Sequence, residues 1–412
     1  MSTSEFSLVD VRARYVQANA ATLRWMLARP RLAGAFLNTK VNSLSLADYG
    51  DADGIRGPAY LYGWIQGRGL EALATHAAFF ETEEPTLAAE LDQTGLALYH
   101  ALRDLQRRDG HGYFCYDRDL NPVYLSSDGV LHRQSAADGV FTYSDAFFAK
   151  GLIAGAARYA PADLPEHLTY LAGVVDAIEQ RRFQMDERCH LSPQPALDEP
   201  EDFGPRMILL GAAGLLHRVG RSEHSAFADR FIAHILIHHF DPQSGLLRNV
   251  RGADVCNVGH AIEFVGFALD HLQGSAEPAL VKQLQSVLHS SFTRGFIGPG
   301  LCLSVSAATG SSLSSYCPWW SLPETIRSAA LCFAARGDGE TLRIWEQADH
   351  AFFTHYWRGS VAYQTLTRDG PVDFVPATPD LDPGYHTGLS LLAAIHAADG
   401  ILARASDPSA TM

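Results

Sequence analysis

Apolar residues recur along most of this chain at the three-to-four-residue spacing of amphipathic helices. Segments with this pattern cover residues 7–28, 58–80, 85–107, 143–159, 164–181, 205–219, 223–239, 259–273, 277–293, 319–336, 339–356 and 386–403. The pattern predicts about twelve helices with short or medium connections. No alternation of strand and helix is visible, which argues against a parallel α/β sheet. Three connections differ from the rest, at 114–124, 240–247 and 363–371. Each places an Asp, Asn, Gly or Pro turn between β-prone residues and predicts a short hairpin. Their recurrence at roughly 120-residue intervals suggests repeated helical hairpins with short loops at one end. No linker interrupts the pattern before the segment 405–412, which reads as a flexible tail. One all-α domain over 1–412 is expected.

Composition narrows the function. The chain is 47% hydrophobic and 19% charged, too apolar for disorder. Its formal charge is -14, a sign that repels phosphate backbones and argues against nucleic-acid and anionic-membrane partners. No apolar run approaches the ~20 residues of a membrane span. The N-terminus has neither a basic start nor an apolar signal core, so a cytoplasmic location is expected. The six cysteines form no Cys-x-x-Cys pair and read as reduced, buried thiols. Eighteen histidines include no His-Glu-x-x-His motif. With no phosphate-binding loop either, neither a metal nor a cofactor is expected.

Four segments carry candidate chemistry. In Asn257-Val258-Gly259-His260-Ala261-Ile262-Glu263, a Gly-His pair opens an apolar helix. His260 and Glu263 share a helix face. The positive end of the helix dipole favours a neutral imidazole, which can accept a proton near pH 7. A partly buried histidine satisfied by a local carboxylate would leave the same pattern. In Trp64-Ile65-Gln66-Gly67-Arg68, Trp64 and Arg68 are four apart. An indole beside a guanidinium can hold an oxyanion or hydroxyls above an apolar sugar face; a core Trp with a solvent-seeking Arg fits equally. In Cys317-Pro318-Trp319-Trp320-Ser321-Leu322-Pro323-Glu324, two indoles precede a carboxylate in a first helical turn. That set suits carbohydrate, or a pair of core tryptophans. In Pro383-Gly384-Tyr385-His386-Thr387-Gly388, a second histidine stands where a loop enters an apolar helix. Two histidines at helix starts are what a two-sided proton-transfer site would use.

Together these segments resemble the N-acylglucosamine 2-epimerase superfamily, which includes cellobiose 2-epimerases and aldose–ketose isomerases acting on mannose or sulfoquinovose. The pattern Trp-x-Gln-x-Arg is matched by Trp64, Gln66 and Arg68. Asn-Pro-Gly-His-x-x-Glu is matched by Asn257, Gly259, His260 and Glu263, with Val258 for Pro. Trp-Trp-Pro-x-x-Glu is matched by Trp319, Trp320 and Glu324, with Ser321 for Pro, and Tyr-His by Tyr385 and His386. Order and spacing hold over roughly residues 58–395.

The resemblance implies an (α/α)6 barrel and metal-free proton transfer at the carbon beside a sugar carbonyl. His260 and His386 would be the acid/base pair, and Arg68 would stabilise the enediolate oxygen. Glu263 would orient His260, while Glu324 would orient a histidine or bind a sugar hydroxyl. Trp64 with Trp319 or Trp320 would form the apolar platform. Gln66, Tyr116, Asn257 and Tyr385 are assigned as further sugar contacts. The implied partner is a small-molecule sugar, and both monomer and homodimer fit.

Some positions depart from the pattern. Arg206 and Ile208 stand where several relatives carry an Asn and a His. Leu381-Asp382-Pro383 stands where a sugar-stacking Trp often lies, and Phe264 replaces a Trp. Retained histidines in a changed surround imply the same proton chemistry on a different or modified sugar. Arg206 facing a cleft with Arg248 or Arg251 would suit an anionic group; a salt bridge to Glu201 or Asp202 is the other reading. Two further functions remain open. One is a glycoside or unsaturated-glucuronyl hydrolase using carboxylates such as Asp117, Asp145, Glu263 and Glu324. The other is a non-catalytic sugar-binding protein.

Overall fold

The structure is a computed structural model and describes residues 6–135, 139–375 and 380–406. Its helices follow the apolar pattern. In chain order they are α1 (Leu8–Leu27), α2 (Gly63–Glu83), α3 (Pro85–Asp109), α4 (Tyr143–Tyr159), α5 (Leu164–Glu179), α6 (Pro193–Asp198), α7 (Gly204–Arg218), α8 (Phe227–His238), α9 (Val258–Leu272), α10 (Pro278–Gly295), α11 (Ser321–Arg336), α12 (Gly339–Ala351) and α13 (Ser390–Ser406). Short π-helical turns continue α12 over Phe352–Tyr356 and lead into α13 over Tyr385–Leu389.

The differences from expectation are local. α2 starts later than residue 58 because Leu61–Tyr62 pairs as a strand with Cys115–Tyr116. α6 was not foreseen; six residues are too few for a periodic signal. α13 runs through Ala405 and Ser406, so the expected tail begins as helix, and 407–412 lie outside the described residues. The helical run Tyr385–Ser406 is 22 residues long and apolar enough, by length and composition alone, to cross a membrane, contrary to the sequence expectation. Its Leu391, Leu392, Ala394, Ile395 and Ala398 are buried in the fold, so we read it as a core helix.

All three expected hairpins form. Cys115–Tyr116 pairs with Pro122–Leu125, Phe240–Asp241 with Leu246–Leu247, and Thr365–Thr367 with Gly370–Pro371, each antiparallel. Gly245, at φ 71°, turns the second without the steric cost a Cβ would bring.

The chain divides into two compact units. The first comprises Met1–Thr22, Ile232–Pro376 and His386–Met412; the second comprises Leu23–Phe231 and Ala377–Tyr385. In the second unit α2 packs on α3 and α4, and α4 on α5 and α7. α2 and α4 meet at glycines: a Cβ on Gly151 would lie 2.4 Å from the Gly67 carbonyl oxygen.

In the first unit α11 packs against α9, α12 and α13. Asn19 of α1 donates from Nδ2 to the Gly388 carbonyl at 3.0 Å, tying together residues 369 positions apart. The α9–α11 contact is set by two glycines one heptad apart. A Cβ on Gly259 would meet Trp320 at 2.5 Å, and one on Gly266 would meet Ser328 Oγ at 2.6 Å and Arg327 Cδ at 3.0 Å. Ser328 Oγ donates across the contact to the Ile262 carbonyl at 2.7 Å. Glu263 lies between the two glycines, and Glu324 lies between Ser321 and Ser328 on the facing helix. The glycine notch therefore decides how near these carboxylates come.

Alanine gains about 1 kcal/mol over glycine in an open helix. At Gly266 overpacking costs more, about 1–3 kcal/mol. Gly266→Ala is thus expected to lower stability despite its better propensity, read as a lower denaturation midpoint at unchanged m-value. A raised midpoint would show that the two helices can separate freely.

Candidate active site

The first unit gathers both histidines around one indole. Asn257 caps α9, its Oδ1 accepting from the His260 backbone N–H at 3.1 Å. The side-chain oxygen of this residue, expected to touch sugar, thus holds the first turn in place. The His260 ring lies 5.3 Å from the Trp320 ring at an interplanar angle of 33°. The His386 ring lies 5.7 Å from Trp320 at 36° and edge-on to Trp319 at 6.2 Å. Trp319 is buried, while Trp320 and His260 keep partial exposure. Trp320 takes this seat because Gly259 has no side chain to fill it.

Behind His386 is a buried charge cluster. Its Nδ1 lies 3.0 Å from Glu324 Oε1 and 3.9 Å from Glu263 Oε1. The other Glu324 oxygen lies 2.9 Å from Arg327 Nη1, three residues along α11. Arg327 also stacks over Phe267, 4.8 Å from the ring centre. Glu263 and Glu324 are 1% and 0% exposed. Burial pushes the Glu324 carboxyl up, but Arg327 and His386 outweigh it and hold its pKa below the ordinary value. The sequence reading gave Glu263 to His260; the structure brings both carboxylates to His386. A carboxylate on Nδ1 fixes the tautomer with the proton there and leaves Nε2 to carry the working lone pair or proton.

Glu263, Glu324 and His386 offer donor atoms within 4.8 Å of one another, a set of ligand types that also suits a divalent cation. Arg327 already supplies positive charge to that cluster.

The second unit holds the other expected residues. The Arg68 guanidinium lies over Phe147 at 4.0 Å, Trp64 at 5.2 Å and Tyr385 at 5.4 Å. Trp64 is flanked by Phe114, Tyr143 and Phe147, with ring centres 5.4–5.6 Å away. Its Nε1 donates to Glu187 Oε1 at 2.7 Å. Lys150, buried in α4, donates to the Tyr385 hydroxyl and lies 3.2 Å from Glu71 Oε2.

Several expected contacts are corrected. Gln66 is fully buried and both ends of its amide bind the Leu37 backbone, at 2.8 and 2.9 Å. It clamps a loop and offers no free group to a sugar. Tyr116 has no exposed surface, and its hydroxyl accepts from the Tyr113 N–H at 3.0 Å. Arg206 takes the second reading, with Nη1 2.9 Å from Glu201 Oε1. Arg251 is exposed on a turn, and Arg248 lies 3.4 Å from Asp241. The proposed anion site at these arginines therefore loses its motivation.

Sequence reasoning missed Arg327, Glu187, Lys150 and Glu71. Arg327 was detectable, since it stands three after Glu324 on a helix. Lys150 was too, as a cation set in the apolar run Phe147–Ala154. Glu187, on a turn, gave no signal.

No protein-family model matches the chain, and no curated protein matches it by sequence. Solved structures do match in fold. The chain is similar to a cellobiose 2-epimerase from Bacillus thermoamylovorans B4167, with a TM-score of 0.71 at 16% identity over 94% of this chain and 99% of that one. It is similar to a D-mannose isomerase, with a TM-score of 0.67 at 14% identity over 96% and 100%. An unsaturated glucuronyl hydrolase specific for heparin matches with a TM-score of 0.57 at 9% identity over 96% and 98%. The chain has the all-α, (α/α)-barrel fold of these proteins, as the sequence pattern and the four segments led us to expect.

The buried pair gives a sharp prediction. Glu324→Gln or Arg327→Met alone is expected to cost about 3–5 kcal/mol, since each leaves a buried charge uncompensated. The double variant should recover part of that loss. Because the folded pKa of Glu324 lies below its ordinary 4.5, its contribution is fully present above that pH and lost as pH falls through the folded value. Glu324→Gln should therefore flatten the acid limb of the stability–pH curve. Additive single costs and an unchanged limb would rule this pairing out.

Proposed function

We propose that this protein is a carbohydrate isomerase or 2-epimerase that moves a proton at C2 of a sugar through an enediolate. The observation that carries the reading is the pair of imidazoles beside Trp320, at 5.3 and 5.7 Å, one of them backed by buried carboxylates. The match in fold to a cellobiose 2-epimerase and a D-mannose isomerase supports it.

In this reading one histidine removes the C2 proton from the open-chain sugar, and the electrons form the enediolate. For epimerisation the other histidine returns a proton to the opposite face of C2. For isomerisation a proton is delivered to C1 and the carbonyl moves to C2. Glu324 and Glu263 stabilise the imidazolium form of His386 when it holds the proton. Trp320 gives an apolar face for the sugar ring. We retain Arg68 as the cation for the enediolate oxygen on the strength of its motif. The reaction is read as metal-independent, with Arg327 providing charge compensation for the buried carboxylates.

The hydrolase alternative is less well served. Hydrolysis needs two carboxyl groups flanking the bond, about 5–9.5 Å apart. Here Glu263 and Glu324 both approach one imidazole. Asp145 is consumed by Thr142, His111 and Gly112, and Asp117 by its own turn.

The test is solvent exchange. In D2O with a panel of neutral and anionic aldoses and ketoses, NMR should show loss of C2–H signal for at least one sugar. His260→Ala and His386→Ala should each slow that exchange by about 10²–10⁴-fold. Arg68→Met should slow it by about 10²–10³-fold. EDTA treatment should leave the rate unchanged. Release of a new reducing end from a glycoside, with no exchange, would replace this reading with hydrolysis; exchange lost on chelation would replace its metal-free step.

A further inference from the structure

The turn after the strand Phe183–Gln184 holds one buried carboxyl among exposed neighbours. Asp186 and Arg188 face solvent and pair with each other at 3.0 Å, whereas Glu187 points inward and is 5% exposed. The turn is firmly held. Glu199 accepts from the backbone N–H of Met185 and Asp186 at 2.6 and 2.9 Å, and Gln184 Nε2 donates to the Asp186 carbonyl at 2.9 Å. Glu187 Oε1 accepts two hydrogen bonds, from Trp64 Nε1 at 2.7 Å and from the Ser144 N–H at 3.1 Å. It thus ties the first turn of α2 to the first turn of α4. Its Oε2 is buried close to the Thr142 hydroxyl, which also reaches Asp145 at 3.2 Å.

A carboxyl is a costly way to fill such a position. An apolar side chain would avoid the desolvation that a buried carboxyl suffers. What the carboxyl supplies is a fixed acceptor for one indole N–H. The Trp64 ring also meets the rings of Phe114, Tyr143 and Phe147, contacts that set no hydrogen-bond direction of their own. The same indole carries the Arg68 guanidinium at 5.2 Å, so its orientation also sets where that cation lies.

We propose that Glu187 is the positioning residue of Trp64, fixing the indole plane that the ring and its stacked Arg68 offer to a substrate sugar. This rests on reading Trp64 as part of the substrate platform. Burial pushes the Glu187 carboxyl up to about 8, against the pull of the Ser144 and Trp64 hydrogen bonds. The groups that face it are Asp145, Ser144 and Thr142 from the start of α4 and Trp64 from α2, with Arg68 beyond the indole and the outward Asp186–Arg188 pair on its own turn.

The test uses full-length protein carrying 15N-labelled tryptophan. The Trp64 indole N–H resonance is identified by its loss in Trp64→Phe. In the wild type it should shift with a midpoint near pH 8. In Glu187→Gln, which keeps an acceptor without the charge, the resonance should remain but no longer titrate. For a sugar that is turned over, Glu187→Leu should lower kcat/KM about tenfold, since both the indole platform and the stacked Arg68 lose their orientation, and Glu187→Gln should fall between. An indole resonance that does not titrate, or titrates equally in Glu187→Gln, overturns the proposal. So does a kcat/KM unchanged in Glu187→Leu. The indole titration requires no turnover, so a chain that exchanges no sugar proton would sink the functional reading and still leave this one decided.

Discussion

Two buried carboxylates on facing helices are the constraint around which the first unit is arranged. Like charges about 4 Å apart repel by roughly 4 kcal/mol at an effective dielectric near 20. Glu263 and Glu324 are held in such a neighbourhood by the glycine notch on α9 and the hydroxyl bridge from Ser328 to Ile262. The fold tolerates them because Arg327 and His386 stand between and beside them. The packing of α9 on α11 and the docking of the segment leading into α13 are therefore aspects of the same electrostatic balance. A histidine that completes such a balance when protonated is well suited to hold a proton and give it back.

The second unit solves a different problem, holding a cation among aromatic rings. Arg68 is stacked among Phe147, Trp64 and Tyr385. Such stacking orients a guanidinium without consuming all its donors, because the attraction comes from the ring faces. The polar anchors lie behind the rings: Glu187 on Trp64, and Lys150 with Glu71 on Tyr385.

Much of the fold was legible from period alone, because α-helices that bury one face must repeat their apolar residues. The three hairpins were legible from their turn residues. Helix α6 escaped because it is too short to repeat, and the start of α2 moved because two residues preferred to pair across a strand. For the site, motif order located His260, His386, Glu324 and Trp320, which the structure brings together. It misread Gln66 and Tyr116, whose polar groups serve the backbone. Spacing along a chain reports what shares a helix face, not what that face meets. That is why the approach of Glu263 to His386 was not foreseen and the turn residue Glu187 was invisible.

The link between Asn19 and Gly388 bears on the order in which this protein acquires its shape. The bond joins α1 to the segment carrying His386 across 369 positions, so the unit with both histidines is built from the two extremes of the sequence. Loop-closure entropy must be met before such distant contacts repay it. During synthesis α1 emerges early and must wait for nearly the whole chain, while the helices between Leu23 and Phe231 can condense on one another as they appear. Assembly of the histidine pair is accordingly a late event, since neither the packing of α11 on α13 nor the Asn19–Gly388 bond can form before α13 has been made.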